Sequence, residues 1–120
     1  MRDTHFDHLE TRSSKERESE QMQQLARQIE HARKTAPAYR ELLREFDQPI
    51  DSREKLAELP LTRKCELRGK QQQRLPFAGL TGIGSPDLTH IFVSPGPIYE
   101  PASNRRDFWN FGRTLFAAGF

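Results

Sequence analysis

The sequence predicts a mostly helical α+β chain, with four helices ahead of a single strand and one further helix at the end. Apolar residues recur at three- and four-residue spacing up to Gln73, which is typical of amphipathic helices. The run Ile91-Phe92-Val93 then indicates a β-strand, because β-branched and aromatic residues favour extended backbone. Thirty of the 36 charged residues lie at or before Arg74. The charged N-terminal part is therefore expected to form solvated helices, and the less charged C-terminal part is expected to begin a core.

The first helix is expected to begin near Ser13. Ser13-x-x-Glu16 is a capping box, which pairs backbone N–H groups that the first helical turn leaves unsatisfied. Pro37 interrupts the helix, and since proline suits a first helical turn, a second helix should start there. The apolar stripe of the first helix comprises Met22, Leu25, Ala26, Ile29, Ala32 and Ala36, and that of the second Tyr39, Leu42, Leu43 and Phe46.

Two shorter helices are predicted next. An acidic capping pair that starts at Asp51 favours a helix that runs to Leu59. Thr62 is the candidate N-cap of a fourth helix that ends at about Gln73. Repeated proline and glycine then mark a loop over Leu75–Leu88.

A strand over Thr89–Ser94, a Pro/Gly turn and a last helix from about Asn104 complete the pattern. Residues 1–88 would form a helical N-terminal region, and residues 89–120 a strand–loop–helix unit that begins an α/β core and is truncated at its C-terminus. A single strand leaves its hydrogen-bonding edges unpaired. The missing strands would come from a partner chain, or the chain is a fragment of a larger protein, and the second explanation is favoured.

Composition narrows the class of protein. Hydrophobic residues make up 34% and charged residues 30%, so a large self-sufficient core is not expected. The net charge of +2 comes from 19 basic and 17 acidic residues without the clustered surplus of nucleic-acid binders, so no nucleic-acid partner is expected. The one cysteine fits a reducing compartment, and no apolar stretch resembles a signal peptide or membrane span. We expect a cytoplasmic protein without a membrane partner.

The segment Ser94-Pro95-Gly96-Pro97 is the candidate functional loop. Many α/β proteins bind phosphate groups with a strand, a glycine-containing loop and a helix, so Ser94 and Gly96 are candidate phosphate contacts. The alternative is a tight turn, which Pro-Gly-Pro explains unaided. The turn is the favoured interpretation.

Three segments carry a resemblance to a known family. The first is Phe6–Arg12; the second is Leu59–Leu67 followed by Leu75–Gly79; the third is Ile91–Pro101 followed by Leu115–Phe120. In this order and spacing they resemble the N-terminal segment of phenylacetate–CoA ligase-like proteins, members of the AMP-forming, adenylate-forming acyl/aryl-CoA synthetase superfamily. The resemblance covers essentially the whole chain but only the first quarter to third of such a ligase.

The resemblance implies an enzyme that activates a carboxylic acid with ATP and Mg²⁺ to an acyl-adenylate and then forms a thioester with CoA. It also implies an aryl or acyl acid as substrate, a possible homodimer, and an α/β adenylate-forming domain of which this chain is one piece. The family's later catalytic motifs would lie beyond Phe120. We therefore expect no catalytic residue on this chain, no cofactor bound by it, and no activity from it by itself.

The candidate loop departs from the family pattern. The resemblance implies a Ser/Thr/Gly-rich phosphate loop at this position, to which Ser94 and Gly96 correspond. Pro95 and Pro97 remove two backbone N–H donors, and Ile98 and Tyr99 stand where the resemblance implies hydroxyl and glycine residues. The segment is thus a degenerate phosphate loop, and ordinary ATP binding does not follow from it.

The remaining reactive or aromatic residues have structural explanations that compete with functional ones. Cys65 is expected to be a half-buried helix residue rather than a nucleophile, and the four histidines lack metal-ligand spacing, so no metal is expected. Phe108, Trp109, Phe111 and Phe116 could line an aryl pocket, but packing against a sheet is favoured. The alternative function is a helical protein-interaction module without catalysis.

Overall fold

A computed structural model gives the fold of residues 4–120. This part of the chain contains five helices and one two-stranded antiparallel sheet, so the α+β class and the predicted helix count are confirmed. In chain order the elements are α1 (Ser14–Thr35), α2 (Pro37–Leu42), α3 (Arg53–Ala57), α4 (Lys64–Gln73), β1 (His90–Ser94), β2 (Ile98–Ala102) and α5 (Gly112–Ala117). Short 3-10 turns lie at His8–Thr11 and Ser85–Asp87.

The start of α1 agrees with the prediction. The Ser13 hydroxyl accepts a hydrogen bond from the Glu16 N–H at 3.2 Å, and the Glu16 carboxylate accepts one from the Ser13 N–H at 2.9 Å. Both halves of the capping box therefore form. The predicted stripe is the less exposed side of the helix: Ala36 is buried, and the half-buried members are Met22, Leu25, Ala26, Ile29 and Ala32.

The caps of α3 and α4 differ from the prediction. Ser52, and not Asp51, caps α3, because the Ser52 hydroxyl accepts a hydrogen bond from the Lys55 N–H at 3.3 Å. Thr62 does not cap α4, which begins after Arg63 without a side-chain cap. A capping residue must directly precede the first helical turn, and both helices start one residue later than the sequence pattern indicated.

The last helix, α5, begins at Gly112 and not near Asn104. Asp107 and Asn110 have positive φ values of 52° and 56°, a left-handed conformation that cannot continue a right-handed helix. The Asp107 carboxylate also accepts a hydrogen bond from the Gly112 N–H at 3.1 Å, which stabilises the irregular segment ahead of α5.

The prediction of a single strand is wrong, because β1 pairs with a second strand, β2. The register places His90 opposite Ala102 and Ser94 opposite Ile98. Pro101 lies within β2, although proline within a run argues against a strand since it has no N–H to donate. The second strand is compatible with Pro101 because alternate residues of a strand direct their backbone groups away from the partner. The expected strand–loop–helix unit is therefore a β-hairpin followed by an irregular segment and a helix.

The core is small and the chain is elongated. The radius of gyration is 17.3 Å, whereas a compact chain of this length has about 14 Å. The accessible surface of 9534 Å² exceeds that of a compact monomer of this mass by roughly 2,800 Å². The buried apolar residues are Ala36, Leu43, Ile50, Phe77, Ala78, Ile98 and Ala102. None of the helices in residues 4–120 combines the length and apolar character needed to cross a membrane.

Candidate functional site

The turn between β1 and β2 contains both residues predicted to contact phosphate. Ser94 is the last residue of β1 and lies opposite Ile98, so Pro95, Gly96 and Pro97 form a three-residue hairpin loop. Gly96 has a φ of +118°, which L side chains rarely adopt, and no atom lies within 4 Å of the position that a Cβ would take. Glycine is therefore required here by the backbone of the turn and not by a close neighbour.

The chemistry of this turn is limited by its prolines. Between the paired residues Ser94 and Ile98, Gly96 carries the only backbone N–H. The Ser94 hydroxyl lies 3.5 Å from the Ile98 carbonyl oxygen, within its own hairpin. The loop leads into β2 rather than into a helix, so it lacks the helix N-terminus that supplies several converging N–H groups in phosphate sites. A phosphate-binding role for Ser94 and Gly96 stays a prediction, and the strand–loop–helix arrangement that suggested it is not present at this turn.

A cavity of about 410 Å³ lies between the C-terminal half of α1, α4 and β2. Its wall is mainly apolar, with Phe77 and Ile98 buried at its base. His31, Thr35 and Tyr39 add polar groups to the wall. An apolar cavity with a few polar groups is the usual form of a small-molecule site, so this cavity is a candidate binding site. Sequence reasoning did not predict it, because its lining comes from five separated segments.

Gln71 joins α4 to the sheet at the edge of this cavity. Only 5% of the residue is exposed, and it is the one buried polar residue among those the structure describes. Its side-chain amide donates to the Tyr99 carbonyl oxygen and its side-chain oxygen accepts from the Tyr99 N–H, both at 2.9 Å. The side chain thus pairs with β2 as a neighbouring strand would. The sequence signal for this role was the position of Gln71 four residues after Leu67, on the same face of α4.

A second group of contacts joins the first described residues to α5. Arg113 forms ion pairs with Asp7 and with Glu10, the latter at 3.4 Å. The Arg113 guanidinium also lies over the Phe6 ring at 5.3 Å from its centroid, and the Phe6 ring meets that of Phe116 edge-on at 5.7 Å. These contacts bring together segments more than a hundred residues apart in sequence. The Arg113 and Asp7 side chains are 39% and 30% exposed, and these contacts position the N-terminal segment against α5.

An aryl pocket lined by the aromatic residues near the C-terminus was an alternative that the sequence allowed. In the described part of the chain these side chains do not come together as such a pocket. Phe108 contributes to the cavity wall, whereas Trp109 and Phe111 are 51% and 59% exposed. The Trp109 ring contacts those of Phe108 and Phe92 edge-on at 5.0 and 5.7 Å. The three rings are in contact in a row on the surface of the hairpin. Packing against the sheet was the favoured interpretation of these aromatic residues, and the contact of Trp109 with Phe92 of β1 agrees with it.

Cys65 is exposed on α4, in contrast to the half-buried position expected for it. Helices α1 and α4 are polar on most of their surface, and Cys65 lies on the outer side, whereas Leu67 and Gln71 face the protein. Within residues 4–120, no three His, Cys, Asp or Glu side chains lie close enough to hold a metal ion.

The carboxyl groups with shifted pKa values are explained by surface partners. The pKa of Glu18 is lowered mainly by its hydrogen bonds from Arg53, one of which is 2.7 Å long. The pKa of Asp51 is lowered by the Lys55 ammonium, and that of Glu66 by the lysine four residues later. None of these groups lines the cavity, so they stabilise helix positions and do not indicate catalytic carboxylates.

Comparisons with protein-family models, with curated proteins and with solved structures found no match.

Proposed function

We propose that the chain is the N-terminal part of a phenylacetate–CoA ligase-like protein, in which it acts as a structural segment and not as the catalytic one. The observation that supports this most is that the third of the segments that carry the resemblance contacts the first directly, through Phe116 and Phe6, and contacts through Tyr99 the helix that the second segment opens.

The first and third segments meet through side chains. Phe6, Asp7 and Glu10 belong to the first segment, and Phe116 to the third, with Arg113 shortly before it. The ion pairs and ring contacts described above join these residues. Exposed ion pairs contribute little stability individually, but together with the ring contacts they fix where the N-terminal segment lies.

The second and third segments meet through α4 and its following loop. The second segment opens α4, and the Gln71 side chain of that helix pairs with Tyr99 of the third. Phe77, in the Leu75–Gly79 part of the second segment, is buried, and the Gly79 carbonyl accepts a hydrogen bond from the Ala38 N–H at 3.0 Å. Phe77, Gly79 and Tyr99 of the matched segments thus take part in packing or in long-range hydrogen bonds of the described fold.

The residues present do not fit the triphosphate of ATP. A phosphate loop needs several converging N–H groups and hydroxyls, and the Pro95–Pro97 turn offers one N–H and one adjacent hydroxyl. We therefore derive no catalytic step through ATP, Mg²⁺ or CoA on this chain. In the proposal those groups, and the aryl or acyl acid, belong to the complete enzyme.

A chimera tests the proposal. The N-terminal segment of an active phenylacetate–CoA ligase is replaced by this chain, and AMP release with phenylacetate, ATP and CoA is measured. We expect a folded chimera with reduced activity, and recovery of activity when Pro95 and Pro97 are changed to threonine. A matched control carries the same two changes and Arg113→Glu, which reverses the charge that faces Asp7 and should lower the stability of the chimera.

Two results would contradict the proposal. One is a chimera that does not fold although both parent proteins do, since the chain would then not share the architecture. The other is a folded chimera whose activity stays absent after the two proline changes and returns only when the ligase's own segment is restored.

An interaction module without catalysis is the second candidate. It is favoured by the excess surface of roughly 2,800 Å² over a compact monomer, which is more than a standard protein–protein interface buries. Exposed apolar residues concentrate in β1 and in the segment from Trp109 to Phe120. Recovery of ligase activity in the chimera would decide against this candidate.

A further inference from the structure

The cavity between α1, α4 and β2 has one formally charged residue in the wall that the structure describes. That residue is Glu100, and the wall contains no Lys, Arg or Asp from residues 4–120. Glu100 lies on β2 between Ile98 and Ala102, which are both buried. Because side chains alternate between the two faces of a strand, these three side chains lie on the same face. A glutamate therefore occupies the middle of an otherwise apolar, buried face of β2.

The Glu100 carboxylate is unpaired in the part of the chain that the structure describes. It forms no ion pair there and accepts no hydrogen bond. Glu100 is half-buried, so its side chain has left part of its hydration behind. Charged groups that leave water are normally paired with an opposite charge, because an unpaired one is costly. A cation in the cavity would supply this pairing.

The aromatic part of the wall also suits a cation. Tyr39, Phe77 and Phe108 line the cavity, and Phe77 is buried at its base. The face of an aromatic ring carries partial negative charge and attracts an ammonium group, and the same ring packs against an apolar body. An anion in the cavity would instead lie beside Glu100, and the described wall offers it no Lys or Arg. The charge pattern of the wall thus favours a cation over an acid.

A close contact between two segments completes the wall on the side of α1. The loop residue Gly82 lies against this helix, and a Cβ at Gly82 would come within 2.3 Å of the Thr35 hydroxyl oxygen. A residue with a side chain would therefore move the loop away from α1. With the loop in this position the cavity has a volume of about 410 Å³, which lies within the range of small-molecule pockets.

We propose that this cavity binds a small organic cation, an ammonium group on an apolar or aromatic body, with Glu100 as its counter-ion. The ammonium group pairs with the Glu100 carboxylate, and the apolar body packs against Phe77 and Ile98 at the base of the cavity. This inference does not depend on the proposed ligase relationship, in which the substrate is an acid and carries the opposite charge.

Three probes of similar shape test the charge preference. 2-Phenylethylamine carries an ammonium group, 2-phenylethanol is its neutral analogue and phenylacetate is its anionic one. Each is titrated into the ¹⁵N-labelled chain at about pH 8, where an alkyl ammonium is charged and a free imidazole is neutral. The side-chain amide signals of Gln71 report binding, because Gln71 lines the cavity. The amine should bind about ten-fold more tightly than the alcohol, and phenylacetate should not bind at the same concentrations. Phenylacetate that binds as tightly as the amine, or an amine that does not saturate the signals, would overturn the proposal.

The substitution Glu100→Gln removes the charge and keeps the shape of the side chain. The affinity for the amine should fall about ten-fold, to that of the alcohol, while the affinity for the alcohol stays unchanged and shows that the cavity is intact. Glu58→Gln is the matched control, since Glu58 is exposed outside the cavity and its loss alters the net charge equally. Gly82→Ala should weaken both ligands alike, because it moves the loop away from Thr35. Equal losses of amine and alcohol in Glu100→Gln, a loss of amine affinity in Glu58→Gln, or unchanged binding in Gly82→Ala would overturn the proposal.

The ligase chimera separates a free cation from a segment of a larger protein as the occupant. Equilibrium dialysis of 2-phenylethylamine against the folded chimera should give tighter binding than against its Glu100→Gln variant, as in the chain by itself. Equal binding to the two chimeras, after charge-dependent binding to the chain by itself, would show that another segment fills the cavity and would overturn the proposal. AMP release by the chimera is measured separately, so the proposed ligase relationship can fail while the cation site stands, or the reverse.

Discussion

The most decisive test of the fold is removal of the Gln71 side chain. Gln71→Ala deletes both hydrogen bonds to Tyr99 and leaves the outer edge of β2 unpaired. It also creates a gap beside the cavity, because the residue is 5% exposed. The perturbation therefore acts on the one described contact in which a side chain of α4 is hydrogen-bonded to the sheet.

The expected loss follows from the two hydrogen bonds. Each contributes about 1 kcal/mol net, and a partner left without a bond adds to the cost when it stays buried. Since Tyr99 is 36% exposed, water can reach part of its backbone, and we expect a total of about 2–3 kcal/mol. That is a large share of the stability of a small domain with so small a core.

Urea unfolding followed by circular dichroism measures this loss. With a slope of about 1 kcal/mol per molar urea for a chain of this size, the midpoint should fall by about 2–3 M. Gln72→Ala is the matched control, because Gln72 is the exposed neighbour on the same helix and should shift the midpoint by less than about 0.5 M. A Gln71→Ala midpoint that equals that of the control would refute the reasoning.

The substitution Gln71→Glu separates hydrogen bonding from packing. The introduced carboxylate accepts from the Tyr99 N–H but cannot donate to the Tyr99 carbonyl, so the variant should be destabilised at neutral pH. Burial favours the protonated form and raises the pKa of the introduced group. The deficit relative to wild type should therefore shrink as the pH falls through that raised pKa. A deficit that does not change with pH would show that the amide acts through packing only.

Three further outcomes are expected. Ser13→Ala removes half of the capping box of α1 and should cost about 1 kcal/mol in urea unfolding, whereas an unchanged midpoint would mean that the helix end frays in the native chain. Because its pair with Arg53 lowers the pKa of Glu18, that pair stabilises the fold above the ordinary carboxyl pKa of about 4.3 and is lost as the pH falls through the lowered value. The wild type should then lose more stability than Glu18→Gln between pH 6 and 3, and parallel curves would contradict this. Gly96→Ala forces an L side chain to a φ of +118° and should lower the free energy of unfolding by about 1 kcal/mol or more. Gly69→Ala, in a helix with open space around it, should raise the free energy of unfolding by about 0.5–1 kcal/mol. Equal effects of the two changes would rule out strain in the turn.

The local features of the helices could be predicted from sequence because their causes are local. The capping box at Ser13, the break at Pro37 and the apolar stripe of α1 depend on residues within one or two helical turns. The errors at α3, α4 and α5 involve single residues whose local conformation competes with a pattern, such as Asp107 and its positive φ.

The candidate site could be predicted much less well. The sequence named Ser94 and Gly96 as candidate phosphate contacts, which stays a prediction, and the prolines beside them correctly indicated a tight turn. Whether that turn leads into a strand or a helix depends on pairing with Ile98. The cavity and the hydrogen bonds between Gln71 and Tyr99 were not predicted, since the position of Gln71 four residues after Leu67 indicates only a shared helix face and not burial. Its environment exists only once α4 packs against β2.

The sequence by itself determined the α+β class, the number of helices and the small core, because charge content and apolar periodicity act along the chain. Tertiary structure decided the partner of β1 and the pairing of the Gln71 side chain with Tyr99 of β2. These contacts depend on which distant segments pack against one another. Backbone groups far apart in sequence form hydrogen bonds only when the fold brings them together, and no local sequence pattern specifies which groups those are.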